Sequence, residues 1–119
     1  MDRRGLGIYG EAVARSYLQK KGYRIIEVNF RCTAGEIDVV ARHKKDLVFV
    51  EVRTKSSEEF GTPEESVTFA KKEKLIGCAL HYLMLHNEEA SSWRVDFVGV
   101  ELEPNGKPKR VEIIENVLE

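Results

Sequence analysis

Two stretches of the chain, GEIDVVAR at 35–42 and LVFVEVRT at 47–54, carry Glu36, Asp38, Glu51 and Arg53 at a spacing that gathers them on one surface. Both alternate as β-strands do, and the polar HKKD between them reads as a hairpin turn. Whether His43–Asp46 or only Lys44–Lys45 forms the turn, paired residue numbers sum to 89. Arg42 then faces Leu47, Val40 faces Phe49, Asp38 faces Glu51 and Glu36 faces Arg53. The other face pairs Ala41 with Val48, Val39 with Val50 and Ile37 with Val52, all apolar, and is expected to be core. Directly opposed carboxylates about 5 Å apart repel by roughly 3 kcal/mol at an effective dielectric of ~20. In full solvent that repulsion falls below about 1 kcal/mol, so it matters only in a partly enclosed site. Val40, Leu47 and Phe49 on the same face predict such an enclosure. Something positive is therefore expected between Asp38 and Glu51. Arg53 is one candidate, which would make a plain salt-bridge cluster with Glu36, and a hard divalent cation is the other.

The rest of the chain must supply the scaffold. Apolar residues from Leu6 to Lys21 recur at helical spacing, and Gly22 is a stop signal. YRIIEVNF (23–30) reads as a strand ahead of the hairpin, and KSSEEFGTP (55–63) as a loop after it. A helix is predicted from about Thr68 to His86, then a strand WRVDFVGVEL (93–102), a turn NGKPK (105–109) and an edge strand RVEIIENV (110–117). The order αβββαββ predicts a single domain over 1–119 of the α/β class, with a mixed sheet flanked by helices.

GLGIYG at 5–10 spells a dinucleotide-binding fingerprint, but only four residues stand before Gly5 in this chain. The fingerprint works when a strand delivers the glycine loop to a helix N-terminus, and no strand fits there. A flexible entry into the first helix is the expected reading. Among 119 residues, 19 Lys and Arg against 20 Asp and Glu give a net charge of −1, which argues against a protein that coats polyanions indiscriminately. Residues 1–60 carry 12 basic and 9 acidic side chains, and residues 61–119 carry 7 and 11, so a local nucleic-acid face is permitted. The apolar runs are too short to span a bilayer, and the N-terminus lacks the basic-then-apolar order of a signal peptide, so a cytoplasmic protein with no membrane partner is expected. Cys32 and Cys78 form no CxxC pair and are expected to be free thiols.

An Asp on one strand followed by Glu-x-Lys on the next resembles the PD-(D/E)xK nuclease signature of the restriction-endonuclease-like fold. The wider pattern is Gly10-Glu11, Asn29, Arg31, GEID at 35–38, FVEVRT at 49–54, FGTPEE at 60–65, the lysines from 71 and RVDFV at 94–98. It resembles the YraN-like family of small bacterial proteins with that Holliday-junction-resolvase-like fold, from about Gly5 to Val100. The resemblance implies that Asp38 and Glu51 ligate Mg²⁺ or Mn²⁺ and that Glu11 on the first helix approaches the same site. Arg53 stands where the signature has lysine. Arginine stays charged, so it suits a phosphate clamp and not a general base, and activating water would fall to the metal. Lys55 shares the strand parity of Arg53 and is a substitute candidate, though it is expected past the strand end.

The reading is a metal-dependent endonuclease or structure-selective resolvase acting on nucleic-acid phosphodiester bonds, with DNA favoured over RNA. Catalytic roles fall to Asp38, Glu51, Arg53 and Glu11, with Glu36 orienting Arg53. Arg31, Lys71 and Lys72 would guide the backbone. A homodimer is expected by analogy with resolvases, whose branched substrates are symmetric. The rival is a non-catalytic module that keeps the fold to bind nucleic acid or protein. Glu11 and Arg15 also suit a routine helical ion pair, and the lysines from 71 a solvated helix face. Asp96 is a further candidate, either paired with Arg94 or supporting the site.

Overall fold

The structure, a computed structural model, describes residues 2–56, 61–88 and 91–118. Residues 57–60 of the expected loop lie outside the described residues. The elements are α1 (Arg3–Lys20), β1 (Arg24–Cys32), β2 (Gly35–His43), β3 (Asp46–Ser56), a 3₁₀ turn (Pro63–Ser66), α2 (Phe69–Leu85), β4 (Trp93–Leu102) and β5 (Pro108–Ile114). The five strands lie side by side in chain order. Only β3 and β4 are parallel, and α2 makes the crossover between them. The predicted element order and mixed sheet are both observed.

The ends of α1 are written in short-range chemistry. The Asp2 carboxylate accepts from the Gly5 amide at 2.7 Å, satisfying one of the amides that a helix start leaves unpaired. At the other end the Gly22 and Tyr23 amides return to the carbonyls of Gln19 and Leu18, with Gly22 at φ +91°. That is a Schellman ending, which favours glycine at the left-handed position.

GLGIYG is therefore neither a nucleotide loop nor a flexible entry. It lies inside α1. A Cβ placed on Gly10 would fall 1.9 Å from Thr54 Oγ1, so the helix approaches β3 too closely for any side chain there. In an exposed helix interior Gly→Ala gains up to ~1 kcal/mol. Here Gly10→Ala is expected to lose about 1–3 kcal/mol through overpacking, measured as the urea midpoint shift at constant m-value. A stabilised variant would show that α1 slides freely over β3.

The sheet has apolar cover on both faces. One cluster joins Ala14 and Leu18 of α1 to Val39, Ala41, Val48, Val50, Val98 and Val100. The other joins Leu75, Ala79 and Leu83 of α2 to Phe30, Ile37, Val40, Phe49 and Val95. This corrects the expectation for Ile37, which was to share a face with Val39 and instead packs against α2 with Phe30. The reason lies across the ladder. Asn29 sits at φ +53° between the pairs Val28–Val39 and Phe30–Ile37, and a left-handed residue re-aims the strand at that point.

Candidate acidic site

The hairpin register follows the expected sum from His43–Asp46 through Arg42–Leu47, Ala41–Val48 and Val40–Phe49 to Val39–Val50. Lys44 turns the chain at φ +57°. The ladder then stops. Beyond Val50 the Val52 amide donates to Asp38 Oδ2 at 2.7 Å, so a side chain takes the place of a strand partner. The strands part there, and a cavity of about 470 Å³ opens between the sheet, α1 and α2. Asp38, Glu51, Glu11, Glu36 and Arg53 all line it.

Asp38 and Glu51 come within hydrogen-bonding reach of each other. Burial first, then the bond and the charge of Glu51, push the Asp38 carboxyl up to about 8, against the pull of the Val52 amide and Arg53. Burial and a neighbouring carboxylate together favour the protonated form of Asp38. Glu11 is also raised, by burial, then by Asp38 and Glu36, with Arg15 opposing. The helical ion-pair partner is thus present, but the acids dominate. Arg53 Nη2 lies 2.9 Å from Glu51 Oε2. Its Nε is buried and has no hydrogen-bond partner among the described residues. Across the cavity Lys71 is shifted down, by burial and then by Arg53, while Glu51 opposes.

Several expected roles change. Glu36 does not orient Arg53. It pairs with Arg31 as a ladder neighbour and as an ion pair at 3.6 Å, because the parting of β2 and β3 carries it away from Arg53. Arg31, thus engaged, is not among the residues that line the cavity. Lys55 is not past the strand end, since β3 runs to Ser56, and it lies beside Glu101 of β4 outside the cavity lining. Lys72 lines a different cavity, with Glu64, Phe97 and Asn116, because one helix residue rotates it away from Lys71. Asp96 is fully buried, bonded to Arg94, Tyr23 and the Asn116 amide, and does not line the acidic site.

Sequence reasoning missed Arg3, which lines the cavity with Gly7 and Glu11. The signal was present, since positions 3, 7 and 11 share a helix face. Lys71, Lys74 and Leu75 of α2 line the cavity by the same spacing.

Among the described residues no group of three or more His, Cys, Asp or Glu side chains is arranged to hold a metal. A two-carboxylate site suits Mg²⁺ or Mn²⁺ better than a cage metal, because Mg²⁺ commonly takes one or two carboxylates and completes its shell with water and phosphate oxygens. The raised Asp38 carboxyl beside Glu51 marks where a cation would relieve their repulsion. The orphaned Arg53 Nε suits an anionic oxygen. The donor set therefore fits a hard divalent cation with a phosphate beside it.

A mixed five-stranded sheet between helices, with paired acids where two strands part, defines the molecule as an α/β protein with an acidic cleft. Residues 10–100 match the uncharacterised protein family UPF0102, and the chain belongs to this family, the YraN-like one its motifs resemble. It is 46% identical to a UPF0102 protein of Moorella thermoacetica over 114 residues, 96% of this chain and 95% of that one. A UPF0102 protein of Dehalococcoides mccartyi is 43% identical over 118 residues, 98% of this chain and 95% of its own. One of Caldanaerobacter subterraneus is 42% identical over 104 residues, 87% of this chain and 85% of the relative. No helix among the described residues is long and apolar enough to cross a membrane.

Proposed function

We propose that the chain is a metal-dependent endonuclease of the restriction-endonuclease-like fold, acting on nucleic-acid phosphodiester bonds, with branched DNA as the favoured substrate. The observation that carries this reading is the meeting of two carboxylates, an arginine with a free buried donor and helix lysines around one open cavity. Asp38 and Glu51 would hold Mg²⁺ or Mn²⁺, which supplies Lewis-acid stabilisation and an acidified water when bound. Arg53 places a permanent positive charge against Glu51 and keeps Nε for a phosphate oxygen. Lys71, Lys74 and Arg3 add positive charge to the walls, which draws in a polyanion with little sequence preference. Glu11, raised and beside Asp38, is poised to hold or pass a proton. A homodimer would match the two-fold symmetry of a branched junction.

The binding-module alternative draws on one observation: Arg53 already neutralises Glu51 at 2.9 Å, which weakens the demand for a cation. Purified protein incubated with branched and single-stranded DNA and RNA, in Mn²⁺ or in chelator, separates the two. Metal-dependent cleavage that vanishes in Asp38→Asn is the expected result. A folded protein that binds these substrates and cuts none is a module.

A further inference from the structure

Cys32 and Cys78 stand 46 positions apart in the chain, yet the fold places their sulfurs 2.8 Å from each other as free thiols. Cys32 ends β1, where it pairs with Gly35 across the β1–β2 turn. Cys78 lies on α2 and is fully buried. The backbones are as close as the sulfurs suggest, since a Cβ on Gly77 would meet the Ala34 Cβ at 3.3 Å. A disulfide needs sulfurs about 2.05 Å apart, so closure asks for only about 0.8 Å of approach.

The two thiols are unequal in a way that orders the chemistry. Cys32 is half-buried and reachable, and Cys78 is not. Burial opposes a Cys32 thiolate, but hydrogen bonds from Cys78 and from the backbone at Ala34 and Gly35 outweigh it and hold the thiol below its ordinary pKa. Burial, then the bond and charge of Cys32, push Cys78 up to about 12. One is built as a nucleophile and the other as a proton donor and resolving thiol.

We propose that Cys32 and Cys78 are a redox modification site that forms an intramolecular disulfide by exchange with a small-molecule disulfide. The Cys32 thiolate attacks one sulfur of the small disulfide, forming a mixed disulfide and releasing one small thiolate. Cys78 then gives its proton to the released thiolate and attacks the Cys32 sulfur, forming the Cys32–Cys78 bond and releasing the second small thiolate, which takes a proton from water. Two protein thiols are oxidised and one small disulfide is reduced to two thiols. The bond ties the β1–β2 turn, next to Gly35 and Glu36 at the start of β2, to the helix that carries Lys74 and Leu75, and these four residues line the acidic cavity. The inference stands on the sulfur geometry and is independent of the nuclease reading.

The test uses the full chain equilibrated in a graded series of reduced and oxidised glutathione, acid-quenched, alkylated in denaturant so that buried Cys78 also reacts, and read by intact mass. Both alkylation sites are expected to disappear together, with the mass lower by two hydrogens and no covalent dimer. Because the loop closed is long, the oxidised chain should melt on the order of 10 °C above the reduced one. In Cys78→Ala, Cys32 should stop as a mixed disulfide carrying one glutathione. Two thiols that still alkylate at the most oxidising ratio would overturn the proposal. So would a wild-type chain that accumulates only mixed or intermolecular disulfides.

Discussion

Replacing Arg94 with alanine is expected to lower the unfolding free energy by about 3–5 kcal/mol, the cost of leaving a buried charge without its partner. Asp96, fully buried on β4, takes Arg94 Nε at 2.9 Å and Nη2 at 3.1 Å. The same guanidinium reaches Asp46 at 2.7 Å and His43 Nδ1 at 2.6 Å. Burial works against the Arg94 charge, but the hydrogen bonds to Asp96, Asp46 and Tyr23 exceed it and hold the guanidinium above its ordinary pKa. With arginine gone, Asp96 keeps, among the described residues, the Tyr23 hydroxyl and the Asn116 amide. Domains of this kind have roughly 5–15 kcal/mol to lose, so the melting temperature should fall on the order of 10–20 °C. Arg94→Lys should recover only part of this, because lysine cannot reach Asp96 and Asp46 with a planar fork. Urea unfolding of the three proteins checks it. A loss below about 1 kcal/mol would mean that water solvates Asp96. Arg94 does not line the acidic cavity, so any metal response should survive in a chain that still folds.

The acidic pair should make the metal-free protein lose stability as pH rises, the reverse of the usual carboxylate behaviour. Asp38 has a folded-state pKa of about 8 against an ordinary 3.8, so the folded chain holds a proton that the unfolded chain releases. Its stabilising contribution is fully present below about pH 4 and is lost as pH passes through 8, since stability falls wherever the native state binds more protons. Each unit of pKa difference is worth at most about 1.4 kcal/mol, and partial solvation of the cavity leaves a total of roughly a few kcal/mol. Asp38→Asn should flatten this slope and be the more stable protein above pH 8 without metal, because its amide oxygen still accepts from Val52. A divalent cation should act oppositely. At a hundred times its Kd it adds about 2.7 kcal/mol, and more readily at pH 8.5 than at pH 6 because it must displace the proton. Thermal melts in chelator and in Mn²⁺ at both pH values measure this. A wild-type melting temperature unmoved by Mn²⁺ at pH 8.5 would reduce the pair to an ion-pair cluster around Arg53.

The hairpin and its acids were legible in the sequence because strand parity is local. Alternation every second residue placed Val39 against Val50 and Val40 against Phe49, and from there Asp38 and Glu51 had to meet. Periodicity alone leaves Glu11 with Arg15 and the lysines from 71 on a solvated face. The motif resemblance points Glu11 toward the site, and both Glu11 and Lys71 line the cavity. Which cation serves which acid was not local. Parity predicted Glu36 with Arg53, but the Val52 amide bonds Asp38 and ends the ladder, leaving Glu36 to Arg31 and Arg53 to Glu51. The flip of Ile37 at Asn29, the exclusion of any Cβ at Gly10 by Thr54 and the meeting of Cys32 with Cys78 arise in the same way. Residue types and short-range geometry specify the elements and, where the ladder stays regular, the face each side chain takes. Where two strands part, and how closely a helix settles on them, depends on packing contributed by the whole chain, and only the tertiary structure decided it.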